Sequence, residues 1–324
     1  MIWDAAASFL DGGWINPESR NREQMEMTNA YHERIGSFGR VNPMRGDSPE
    51  FVLYAQAQLD VLGELLLKIW QTSGSCVGAG ACNAYADAML GDIIHRNDNE
   101  RVELPFPWAT YGKGRQLAGM RRKGEGSFGS AQAEASEPDR FGYLPMGHPG
   151  LPQGQKRGMW LKWSAATEIS WSYAPQFPIS ERELALESSK FGIHTATQLR
   201  NADEWESGVD QGFGITLASM FGTSPRVQGN VLLGRWDKSW SHQMSSSGKW
   251  RHPRFGRIFW VQNQWGDIHG KCPTVSKTGQ NGGFWILDKD AEKICRTGEV
   301  YAHSNTGNFE PRKFRWTKVA TYED

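Results

Sequence analysis

Three residues of this chain are of the types, and fall in the order, that acyl transfer by a thiol requires. Cys76 stands in QTSGSCVG, between small residues and just ahead of an apolar run. A free thiol is mostly protonated at neutral pH, but the partial positive charge of a helix N-terminus and a neighbouring imidazolium both favour the thiolate. A nucleophilic cysteine therefore belongs where a helix begins. The partner base should be a histidine on another element, oriented by an amide or carboxylate. SWSHQM supplies His242 and QNQWG supplies Asn263. Gly74, Ser75, Gly78 and Ala79 are small enough to let a substrate backbone approach the thiol.

Several elements must position these groups. Residues 11 to 47 are polar and poorly periodic, and read as an extended arm. Ser48-Pro49 starts a pattern of Phe51, Ala55, Leu59, Leu62, Leu66 and Ile69 that predicts a helix over 49–70. Small and apolar residues from Cys76 to His95 predict a buried helix that opens on the cysteine. Residues 105 to 160 are rich in Gly and Pro and read as loop. Ser180 with Glu183 forms a capping box for a helix over 181–190, with a further helical segment around 195–210. From 213 onward GITLAS, NVLLGRW, HQMSSSGKW, RIFWVQNQW and GGFWILD are short, apolar or alternating, and separated by Gly-rich turns, as antiparallel strands are. Helices first and strands later make an α+β order. The expected division is an N-terminal extended arm (1–48), a helical lobe carrying the nucleophile (49–150) and a β-rich lobe carrying His242 and Asn263 (151–324).

Composition limits the function classes. The chain has 324 residues, and 36 Lys plus Arg balance 36 Asp plus Glu, so no overall field draws it to nucleic acid or an anionic membrane. Four cysteines in that length are too few for a disulfide framework. No secretion signal and no membrane span is read from the sequence, so the expected location is cytoplasmic or packaged in a virus particle.

The motifs together resemble a known family. QTSGSCVG is similar to the Gln-to-Gly-Ser-Cys block of papain-like cysteine peptidases, SWSHQM to their histidine strand, and NQWG with the later NGGFWI to their Asn-x-Trp-Gly and downstream Gly-aromatic strand. The order Cys, His, Asn matches as well. The resemblance implies Cys76 as nucleophile, His242 as general base and acid, Asn263 orienting the imidazole, and Gln71 donating its amide to the oxyanion hole beside the Cys76 N–H. It also implies Trp265 as a shield over the Asn263–His242 hydrogen bond, with Gly74 and Ser75 as supporting residues. The segment from 126 to 145, GSFGSAQAEA with FGYLP, is similar to first-lobe segments in bacterial relatives, where a Gly-rich strand lines the cleft. The implied architecture is two-lobed, with the cleft between a helical and an antiparallel β-rich lobe. Departures are visible too. Gln71 is one residue closer to its cysteine than is usual, Val77 replaces an aromatic, the stretch from Gly266 to Gly282 is long, and no inhibitory pro-segment pattern precedes the site.

Other groupings carry less. His269, Cys272, Cys295 and His303 are zinc-type ligands, but only His269 and Cys272 are closely spaced, so no metal and no other cofactor is expected. Cys82 reads as helix packing. Basic stretches with aromatics at 112–124, 249–257 and 312–318 read as solvated surface, and the tripeptide Arg45-Gly46-Asp47 as the approach to a helix cap. The leading expectation is a cysteine peptidase acting on peptide or isopeptide bonds, with a protein or peptide as partner and neither nucleic acid nor membrane. One alternative is a structural or binding component of a large assembly, such as a virion protein, with weak or no turnover and other subunits as partners. A second is a cell-wall peptide amidase.

Overall fold

A computed structural model describes residues 13–41, 48–96, 102–120, 126–173, 180–238 and 240–305. Arg45-Gly46-Asp47, the end of the basic stretch at 112–124 and the whole of that at 312–318 lie outside these residues.

The helix opening at Cys76 (Cys76–Arg96) is the axis of the molecule. It is buried from its first residue to Ile93, so it faces protein on every side, with Asn83 accepting from Ile69 N–H and Asp87 from Lys68 Nζ. Two of its glycines explain how close it lies to its neighbours. A Cβ on Gly91 would stand 1.8 Å from the Gly212 carbonyl oxygen, and one on Gly80 3.0 Å from that of Gln243. The same intimacy recurs from the other side, where a Cβ on Gly214 would meet the Ala84 carbonyl oxygen at 1.9 Å.

Twelve strands follow one another among the described residues: β1 (Phe51–Leu53), β2 (Lys68–Trp70), β3 (Gln155–Arg157), β4 (Trp160–Lys162), β5 (Thr195–Gln198), β6 (Gly214–Ser219), β7 (Arg226–Gln228), β8 (Val231–Leu233), β9 (His242–His252), β10 (Gly256–Gln262), β11 (Gly283–Leu287) and β12 (Glu299–Ser304). Nine form one sheet in the order β5-β12-β6-β9-β10-β11-β8-β7, with β1 added along β9. Most pairs are antiparallel; β11 and β8 run parallel. The long hairpin of β9 and β10 sets His242 at the start of one strand and Asn263 just past the end of the next. Strand β6 lies between β9 and β12, pairing Ser219 with His242 and Ala218 with both Gln243 and Glu299. A small separate sheet, ordered β2-β4-β3, joins residues on both sides of position 150.

The α+β order read from the sequence is the architecture observed, and the helix at Cys76 begins where it was expected. Other segments differ. The arm contains a regular helix, Arg22–Ile35, with a complete capping box between Asn21 and Gln24; its pattern is faint because only Thr28 and Tyr31 are buried. The helix expected over 49–70 is confined to Tyr54–Leu62. Gly63 ends it with φ 73°, a left-handed cap that glycine adopts freely. Phe51 and Ile69 belong instead to β1 and β2. The segment from 105 to 160 holds helices Pro107–Leu117 and Gly129–Ala135, the first opened by its proline. The span 195–210 divides into β5 and the helix Ala202–Asp210, capped by Asn201.

Because Gly214 faces a backbone carbonyl, Gly214→Ala should force the sheet off the central helix. A loss of about 3 kcal/mol is expected for such overpacking. Gly147→Ala, whose Cβ meets nothing within 4 Å, should stay within about 0.5 kcal/mol of wild type. Equal denaturant midpoints for the two variants would show that this contact does not set the helix position.

Candidate active site

The thiol of Cys76 lies at the first turn of its helix with 1 % of the residue exposed. Backbone N–H groups of Gln243, Trp14, Val77 and Cys76 itself reach it. Gln243 directly follows His242, so the start of β9 and the start of the helix meet at the sulfur. The junction is tied again by Gln264, whose Nε2 donates to the carbonyl oxygens of Cys76, at 3.2 Å, and of Gln243.

His242 is 2 % exposed and Asn263 fully buried. His242 Nε2 and Asn263 Oδ1 are 2.9 Å apart. The backbone N–H of Gln264 donates to the same oxygen at 2.7 Å. A backbone N–H can only donate, so that end of the amide is the oxygen, and a neutral His242 carries its proton on Nε2. Its Nδ1 then holds the lone pair, as a general base requires. Trp265 lies over the imidazole with ring centroids 4.4 Å apart, and Trp240 meets it edge-on at 5.2 Å. His242, Asn263 and Trp265 are thus gathered in one place, and Cys76 is joined to them through their chain neighbours Gln243 and Gln264.

Three sequence expectations are corrected. The Gln71 amide donates to the Ser73 carbonyl at 2.7 Å, rather than standing open for an oxyanion, because the short turn up to Cys76 folds back beneath it. Gly74 and Ser75 face inward: the Gly74 carbonyl accepts from Tyr111 Oη at 3.1 Å, and Ser75 Oγ donates to Glu168 at 3.3 Å. At Gly78 and Ala79 the small side chains admit protein, not substrate. A Cβ on Gly78 would meet Tyr111 Cβ at 2.6 Å, and Ala79 packs with Ile69 and Trp108.

Several residues at this site gave no signal in the sequence. Glu168, from the helix Ala165–Tyr173, accepts from Thr72 N–H and Ser73 Oγ, both at 2.8 Å, and so clamps the turn before Cys76. Burial raises its carboxyl to about 7, against those donors. The segment Gly13–Ile15 covers the thiol. It bridges in parallel to Ser127, with Ile15 N–H donating to Ser127 O at 2.8 Å and Ser127 N–H to Gly13 O at 3.0 Å. Ser241 Oγ donates to the Trp14 carbonyl at 2.6 Å. Both nearby carbonyls of the segment are therefore bound elsewhere, and it presents an N–H to the sulfur. The stretch likened to a Gly-rich cleft strand does supply this edge at Ser127, but from 129 it turns helical.

The cover is anchored by Glu299 at the start of β12. Its carboxylate accepts from Trp14 Nε1 at 2.7 Å, Gly129 N–H at 2.9 Å, Ser130 N–H at 3.0 Å and Tyr301 Oη at 3.0 Å, and pairs with Arg20. Arg20 also donates to Thr28 Oγ1 at 3.0 Å. A buried pair is stable when its remaining valences are met in this way. Glu299 is buried, which opposes ionisation, but Arg20 and the other donors hold its carboxyl down at about 2.

The buried thiol and the buried imidazole are both neutral. Burial raises the Cys76 thiol to about 11 despite its four N–H neighbours. Burial lowers His242 to about 3, opposed by Asn263 and reinforced by His269.

The candidate metal ligands do not converge. Among the described residues no group of three or more His, Cys, Asp and Glu is arranged to hold a metal ion. Cys272 Sγ accepts from Leu232 N–H at 3.4 Å, His303 Nε2 pairs with Thr216 Oγ1 at 2.9 Å, and Cys295 is a free thiol on the helix Asp288–Thr297. Cys82 is buried with Ala79 and Phe106. No described helix is long and apolar enough to cross a membrane.

No family model matches the sequence, and neither does any curated protein. Solved structures do resemble the fold. Xylellain, a cysteine protease from Xylella fastidiosa, superimposes with a TM-score of 0.53 at 12% identity, over 91% of this chain and 92% of its own. Procathepsin B S9 from Trypanosoma congolense gives 0.54 at 12% identity, over 93% and 89%. The chain therefore has the papain-like, two-lobed α+β fold.

Glu299 has a folded-state value near 2 against an ordinary 4.5. A lowered carboxyl contributes stability above its unfolded value, and that contribution is lost as pH falls towards the folded one. The gap in melting temperature between wild type and Glu299→Gln should thus be widest near pH 6 and narrow from about pH 4.5 to 2. A constant gap over that interval would show that the carboxylate charge does not hold the cover.

Proposed function

We propose that this protein is a cysteine peptidase acting on peptide or isopeptide bonds, held inactive in the described form by its own Gly13–Ile15 segment. The observation that carries the reading is the pairing of His242 with the oxygen end of Asn263 at 2.9 Å, beside a thiol at a helix N-terminus. The papain-like fold supports it by placing this chain among structures that include cysteine proteases.

Once the segment leaves, water re-enters and the cost of charging both groups falls. The Cys76 proton passes to His242 Nδ1, and the thiolate attacks the substrate carbonyl carbon. The oxyanion takes the Cys76 backbone N–H. His242 returns its proton to the leaving nitrogen, forming a thioester and a free amine. Water then attacks the thioester, giving the carboxylic acid and restoring the thiol.

The segment is released gently by Trp14→Ala, since Glu299 keeps Arg20, Gly129, Ser130 and Tyr301 as partners. In this background iodoacetamide at pH 6 should label Cys76 at least about 10-fold faster than in wild type, while Cys82, Cys272 and Cys295 stay protected. A peptide library should be cleaved by Trp14→Ala. Adding Cys76→Ala or His242→Ala should lower the rate by about 1,000-fold or more. If Trp14→Ala cleaves no better than the Trp14→Ala/Cys76→Ala double variant, yet its thiol is freely labelled, the peptidase reading fails and the assembly-component reading takes its place.

A further inference from the structure

The sequence presents His269 as a possible zinc ligand, but the fold takes it elsewhere. Its Nε2 lies 2.7 Å from Asn263 Nδ2. The other end of that amide is fixed as oxygen by the Gln264 N–H, so Nδ2 is the donor here. His269 Nε2 must then be an unprotonated acceptor, with the ring proton on Nδ1. The ring is held edge-on to Phe284 at 5.2 Å between centroids and tilted to Trp265 at 6.2 Å. We propose that His269 is a positioning residue: by accepting from Asn263 Nδ2 it fixes the amide so that Oδ1 faces His242, extending the Cys76, His242, Asn263 constellation by a fourth side chain.

An amide rotated by half a turn would put NH₂ against both His242 Nε2–H and the Gln264 N–H, donor facing donor, and would put the oxygen against the lone pair of His269 Nε2. The Gln264 N–H opposes that rotation at one end and His269 at the other. With Oδ1 held, His242 keeps its proton on Nε2 and its lone pair on Nδ1. Burial lowers His269 to about 4, which keeps Nε2 free to accept at neutral pH. The ionisable group facing it across the amide is His242, and nearby Asp267 accepts from Trp160 Nε1 at 3.0 Å.

This inference rests on the peptidase reading for its catalytic consequence, but not for its geometry, and a double-mutant cycle in the Trp14→Ala background separates the two. Two rates are measured: kcat for the library peptide cleaved best, and iodoacetamide labelling of Cys76 at pH 6. His269→Ala should lower kcat about 10-fold with KM unchanged, and His269→Gln, whose Oε1 can accept from Nδ2, should restore most of it. In the presence of Asn263→Ala, His269→Ala should have no further effect on either rate, since its partner is gone. Independent, multiplicative losses would overturn the proposal while leaving the peptidase reading intact. Absent turnover with a coupled effect on labelling would sink the peptidase reading and keep His269 as the positioning residue. Labelling and turnover both indifferent to His269→Ala would overturn the proposal.

Discussion

Backbone-to-backbone contact between the Cys76 helix and the sheet is the constraint on which the rest depends. Gly91 against the Gly212 carbonyl and Gly214 against that of Ala84 leave no room even for a methyl group, and Gly80 lies tight against the Gln243 carbonyl. Side chains can repack around a substitution, but backbone against backbone has no rotamer to change. The helix start is thereby fixed relative to the starts of β9 and β12 and the end of β10. Cys76, His242, Asn263 and Glu299 are carried by those ends. Gln264 adds a polar lock by joining the carbonyl of Cys76 to that of Gln243.

The enclosure that gives precise position also removes charge. Four backbone N–H groups and a helix N-terminus would ordinarily lower a thiol, and a hydrogen-bonded amide would ordinarily raise an imidazole. At this site desolvation outweighs both, so the thiol rises and the imidazole falls. Over the thiol the cover is the chain's own Gly13–Ile15 segment, pinned by Ser127, Ser241 and Glu299, and over the imidazole it is Trp240 and Trp265. Glu299 behaves oppositely, because Arg20 and four further donors surround it. The buried thiol and the buried carboxyl thus differ in ionisation because Glu299 has the Arg20 guanidinium against it, and not through depth alone.

The readability of these features in the sequence follows the same distinction between local and distant causes. The helix at Cys76 announces itself through a continuous small and apolar run, and β9 and β10 through alternation and glycine punctuation, so the residues they carry were found. The helix Arg22–Ile35 was missed because it rests on the protein through Thr28 and Tyr31 rather than a broad apolar stripe; the Asn21–Gln24 capping box was the available local signal. Gly63 was likewise present to end the helix after Leu62, but the apolar spacing through Leu66 and Ile69 ran past it. The glycines around Cys76 were misread because a missing Cβ says that something approaches closely, without saying whether it is substrate or Tyr111. Glu168 and Glu299 were invisible for a simpler reason, since their partners lie far away along the chain.

Asn263 sits between two imidazoles, and its chemical type matters as much as its place. An aspartate at the same position would present two acceptors and a negative charge in a fully buried site. The Gln264 N–H and His242 would satisfy one oxygen, but His269 would have to turn a proton towards the other, and both rings would be drawn towards their charged forms. The amide avoids this by being polar without being charged, with one end that accepts and one that donates. Its direction is held by the Gln264 N–H at one end and by His269 at the other, and that direction places the His242 proton on Nε2. A neutral, directional link lets the buried His242 keep its proton on Nε2 and its lone pair on Nδ1.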